Sequence, residues 1–158
     1  MIKPFVWVCP PGTPKGVTPS AELGCVRLKA LIDTGAECSF VNAKKLEKLK
    51  GYSKKGCSRL VSQMCGGRDA AVARGIDVQM IAPGCPPAKV CALGVGGQPV
   101  EGVDLVVGYD YMKKVGLWVK VAPGRGGGTF GCTKAPPPRS GTAKTSKVTR
   151  KPRARAAR

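Results

Sequence analysis

The chain has 158 residues, a formal charge of +18 and no histidine. Its length fits one domain with appendages and a modest single core. The missing imidazole excludes Ser-His and Cys-His nucleophile pairs, histidine general bases and the commonest metal ligand, leaving carboxylates, cysteines and lysines for chemistry. Glycine and proline together supply 36 residues, which favours turns and strands over long helices.

Residues 1–16 read as an N-terminal extension. Its apolar start breaks into Cys9-Pro10-Pro11-Gly12 too soon for the apolar region of a signal peptide. No apolar run spans a bilayer. The eight cysteines (9, 25, 38, 57, 65, 85, 91 and 132) include no Cys-x-x-Cys pair, so zinc-ribbon and thioredoxin-like readings lack their signature. The expectation is reduced, partly buried thiols in a cytoplasmic protein without a membrane partner, a metal or a cofactor.

Residues 25–32 alternate and then turn fully apolar, as a strand entering a core does. The strand runs into Asp33-Thr34-Gly35-Ala36, an acidic residue and a glycine turn at a strand end. Phe40-Val41 then precede Asn42, a good N-cap, and residues 43–49 read as a short helix with Leu46 and Leu49 on one face. Residues 60–75 read as a β-hairpin turning at Gly66-Gly67, which supply the positive φ angles of a tight turn. Further strands are expected at residues 76–81, 90–95, 103–108 and 117–121, with a helical turn or two at 109–114. Asp110 reads as a cap of that helix.

Beyond residue 123 the pattern changes. The run Gly124-Arg125-Gly126-Gly127-Gly128 is a flexible joint. From Lys134 onward there are nine basic residues, no acidic ones and three consecutive prolines, a composition that cannot bury enough apolar surface to order itself. The expectation for such a tail is non-specific, salt-sensitive contact with nucleic acid.

A lone Asp-Thr-Gly is weak, but here it follows an apolar strand, precedes a Gly-tipped hairpin by some thirty residues, and is matched by a second apolar strand ending in Val106-Val107-Gly108-Tyr109-Asp110. Residues 17–122, with these three features, resemble the retropepsin-like aspartic proteases. The resemblance implies an all-β, closed-barrel-like fold with one or two short helices, active as a homodimer. Asp33, Thr34 and Gly35 would be the catalytic loop. Ala36 and Glu37 would contact substrate, and Gly66 and Gly67 would be the flap tip closing over it. The implied activity is aspartic endopeptidase, taking an extended peptide or polyprotein and using no cofactor or metal. Two departures stand out: Tyr109 occupies the place of an arginine in viral members, as a hydrophobic residue does in retrotransposon-type members, and Glu37 stands where an aspartate is common. One Asp-Thr-Gly per chain means that the dyad needs two copies. The alternative expectation is a retropepsin-like binding module without turnover, tethered to nucleic acid by its basic tail.

Overall fold

The computed structural model describes residues 2–61, 71–124 and 127–134. These residues form nine strands and one helix: β1 Phe5–Cys9, β2 Val26–Ile32, β3 Phe40–Asn42, β4 Ser53–Val61, β5 Ala71–Ile81, β6 Ala88–Val95, β7 Leu105–Val107, α1 Tyr109–Val115, β8 Leu117–Val121 and β9 Gly128–Cys132. Seven strands form one sheet in the order β1-β2-β7-β3-β6-β5-β4, and β1 also pairs with β5. That second pairing closes six strands into a barrel, with β4 attached outside the ring. The protein is therefore all-β and barrel-like, with one short α-helix among the described residues.

The inward face follows from alternation. Val6 and Val8 of β1, Leu28 and Ala30 of β2, and Ile76, Val78 and Met80 of β5 all enter one core. Each fully buried valine contributes about 1.5–3 kcal/mol of transfer free energy. Alternation stops at Ala30-Leu31-Ile32 because β2 pairs there in parallel with β7, and parallel strands are covered on both faces. The helix closes the core from one side through Tyr111, Met112 and Val115. It ends at Gly116, whose φ of 64° supplies the left-handed cap.

Several expectations are refined. The segment 1–16 supplies β1, which closes the barrel by pairing with both β2 and β5. Beyond residue 123, β9 pairs with β8 in a two-stranded ribbon, so the folded unit runs at least from Phe5 to Cys132. Residues 43–49 form only a 3-10 turn, Ala43–Lys45, followed by further turns; Asn42 does cap it, its side chain accepting from the Lys44 N–H at 3.2 Å. Leu46 is buried as expected. The arms of the hairpin pair from Ser53↔Asp77 to Val61↔Ala71, while Gly66 and Gly67, expected at its turn, lie outside the described residues.

The reading of the thiols as mostly reduced is overturned at four positions. Cys9–Cys25 and Cys85–Cys132 are disulfides. Each bridge needs strands or loops that tertiary folding brings together, with Cα atoms 4.1 and 5.4 Å apart, and spacing in sequence carries no trace of this. Constraining loops of this size stabilises a fold by ~3 and ~4 kcal/mol respectively. Disulfides persist in oxidising compartments, so these two remove the support that reduced thiols gave to a cytoplasmic location. Among the described residues no helix is long and apolar enough to cross a membrane.

Candidate active site

Asp33 is the residue after β2, and its N–H donates to the Val107 carbonyl at 3.1 Å, extending the parallel β2–β7 ladder by one bond. The chain then turns. The Ala36 N–H donates to the Asp33 carbonyl at 3.2 Å, and the Gly35 N–H donates to Asp33 Oδ1 at 2.9 Å. Asp33 is partly exposed, and Thr34 and Gly35 are exposed. A Cβ on Gly35 would lie 3.3 Å from Asp33 Oδ1, so glycine leaves that carboxylate undisturbed. The strand delivers the acid and the turn presents it to solvent.

After the turn the chain crosses the end of β7 and re-enters the sheet on its other side as β3, antiparallel to β7. The loop of residues 33–39 therefore wraps the point where β7 gives way to α1. Its carbonyls satisfy the N–H groups that a helix start leaves without partners: Tyr109 N–H donates to Ala36 O at 2.7 Å and Asp110 N–H to Glu37 O at 3.1 Å. Gly108 makes this wrapping possible, because a Cβ there would sit 2.5 Å from the carbonyl carbon and oxygen of Cys38.

A polar brace completes the seam. Ser39 is fully buried; its hydroxyl donates to Asp110 Oδ1 at 2.6 Å and accepts from the Gly108 N–H at 3.0 Å. The Ser39 N–H donates to Asp110 Oδ2 at 3.0 Å, and the Tyr111 N–H donates to Oδ1 at 2.8 Å. The N-cap position falls to Gly108, with no side-chain cap bond, so Asp110 is not the cap it was expected to be; it sits inside the first turn, accepts from the next N–H and ties the helix to the Asp33 loop. A second link holds the far side of the loop, where Asn42 Nδ2 donates to Asp104 Oδ1 at 2.9 Å and the Asn42 N–H to Asp104 O at 2.8 Å.

Of the expected site residues, Asp33, Thr34, Gly35, Ala36 and Glu37 share this one braced loop, with the Glu37 side chain exposed. The Ala36 and Glu37 carbonyls each accept one bond from the helix start, which leaves each a second lone pair for a ligand. Ser39 and the bridging role of Asp110 escape sequence reasoning, being 71 residues apart. Among the described residues no cluster of three or more His, Cys, Asp or Glu side chains is placed to hold a metal ion.

Compared with known protein families and with curated proteins, the chain matches neither a family model nor a curated sequence.

Proposed function

We propose that this chain is a homodimeric aspartic endopeptidase of the retropepsin-like type, with Asp33 from two copies as its catalytic dyad. The observation that carries the reading is the placement of Asp33: a carboxylate at a strand end, on an exposed turn, with the loop behind it fixed by a buried Ser39–Asp110 brace. Rigid support of a reacting group is what catalysis by positioning requires.

Two such carboxylates brought together cannot comfortably both ionise, so the pair holds one proton. The ionised member draws a proton from water, and the protonated member donates a hydrogen bond to the scissile carbonyl. The apparent pKa values belong to the pair. Thr34 would link the two loops across the dimer axis. Ala36, Glu37, Gly66 and Gly67 would hold the backbone of an extended peptide or polyprotein in β fashion. The tail from residue 134 onward, with its nine cations, favours non-specific contact with polyanions alongside this activity.

The test is cleavage of an unfolded protein substrate at acidic pH by the wild type, Asp33→Asn and Asp33→Ala, with the oligomeric state followed by sedimentation. The expected result is pepstatin-sensitive cleavage by a dimer, reduced at least ~10³-fold in both variants. Cleavage that survives either substitution, or that ignores pepstatin, sinks the proposal.

A further inference from the structure

On the outer wall of the barrel, near the opposite end of β2 from Asp33, lies a cavity of about 530 Å³. Arg27 on its floor is six residues before Asp33, roughly 20 Å of strand rise. Trp7 pairs with Arg27 on one side and with Ile81 on the other, so three adjacent strands set an indole, a guanidinium and an aliphatic side chain in a row. Gln79 shares the face of Ile81, since Val78 and Met80 point into the core. Segments 14–19 and 82–87 form the roof and bring four prolines to it. The size and the mostly apolar lining suit a small organic group.

One buried polar group in this wall lacks a partner, and one exposed cation stands beside it. Gln79 is 1% exposed, and neither its Oε1 nor its Nε2 has a hydrogen-bond partner among the described residues. A buried amide left so is rare in native proteins and calls for an explanation. Arg27 lies over the Phe5 ring at 4.4 Å from its centroid, and no carboxylate stands within ion-pair distance of it among the described residues. It is the single charged residue lining the cavity.

We propose that this cavity binds the carboxy-terminal end of a peptide. The terminal carboxylate meets the Arg27 fork, the last peptide unit pairs its N–H and C=O with the Gln79 amide, and an aliphatic side chain packs on Trp7 and the prolines. One cation matches one carboxylate better than a doubly charged phosphate, and no helix N-terminus lines the cavity to cradle phosphate oxygens. Gln79 offers a donor and an acceptor in one plane, the complement of a peptide unit. The 82–87 side of the roof is tied down by the Cys85–Cys132 bridge and by the Tyr111 hydroxyl, which accepts from the Ala82 N–H and donates to the Pro86 carbonyl, so access to the shielded amide comes from the 14–19 side. This site is independent of the Asp33 reading.

The test uses the full chain, labelled with ¹⁵N, titrated with N-acetyl-Leu-Leu and with the same dipeptide as its carboxy-terminal amide, following the Trp7 indole N–H. The acid should shift that resonance saturably and bind roughly ten-fold more tightly than the amide. Arg27→Met should erase the preference for the acid. Gln79→Leu should weaken both ligands roughly ten-fold; Gln79→Glu, which places a like charge beside the carboxylate, supplies the same check should the leucine variant misfold. A Trp7 resonance that stays still to millimolar ligand, equal binding of acid and amide, or unchanged affinity in the Gln79 variants would overturn the proposal. So would displacement of the dipeptide by equimolar uridine monophosphate, which would reassign the cavity to nucleotides.

Discussion

Replacing Asp110 by alanine removes one carboxylate that accepts from the Ser39 N–H, the Ser39 hydroxyl and the Tyr111 N–H. Hydrogen bonds to a charged acceptor are each worth about 1.5–3 kcal/mol, and an orphaned buried donor adds its own desolvation cost. The three bonds share one acceptor group and do not add fully. The loss should therefore be ~3 kcal/mol, a fall in Tm of roughly 10 °C for a domain of this size. Ser39→Ala breaks the hydroxyl's bonds alone and should cost ~1–2 kcal/mol. The decisive quantity is the coupling between the two, measured by urea unfolding of both single variants and the double variant with the disulfides intact. A coupling of at least ~1 kcal/mol is expected, because the double variant loses the shared bond only once. Additive effects, or a cost below ~1 kcal/mol for Asp110→Ala, would refute the idea that this brace fixes the Asp33 loop.

Gly108→Ala should destabilise by at least ~2 kcal/mol, since its Cβ meets backbone atoms of Cys38 at 2.5 Å and backbone cannot step aside as a side chain can; a thermal melt matching the wild type would contradict the packing described. Tyr111 is fully buried, and burial pushes its phenol up to about 12 even though the Ala82 N–H bonded to it pulls the other way. Its folded pKa thus lies above the unfolded value of 10.0, so the native state keeps the proton longer and stability falls as pH rises from 10 to 12. The total is ~3 kcal/mol from this residue. Burial raises Tyr52 in the same direction. Urea midpoints across that range should drop in the wild type and drop less in Tyr111→Phe; equal slopes would show that the phenol does not stay protonated.

Much of the barrel was legible because its strands obey the two-residue period. Residues 25–32, 76–81, 90–95 and 117–121 each fall within or coincide with an observed strand to within a residue or two. The Asp33 turn was legible for the same reason, as an apolar strand stopped by turn residues. β1 and β9 were not. Each is five residues long and hemmed by proline or glycine, and each is a strand chiefly because a neighbour offers its edge. The helix at 43–49 failed for the converse reason: seven residues cannot offset a costly nucleus, and the core needs only Leu46 and a partial contact from Leu49. Ser39, Gln79 and the two disulfides draw their meaning from contacts across the fold, where composition and periodicity are silent.

The Cys85–Cys132 bridge also sets how the body answers a pull. If the basic tail grips a polyanion, tension meets first the bonds of Lys134 and Thr133 to the Val115 and Gly116 carbonyls, and then Cys132, the residue paired with Leu117 at the end of the β8–β9 ribbon. A ribbon loaded from that end would open one rung at a time, like a zip. The bridge diverts the load before the first rung, passing it by a covalent path to Cys85 and the barrel wall. While oxidised, the bridge would bear such a pull; reduction would leave it to the five residue pairs of the ribbon.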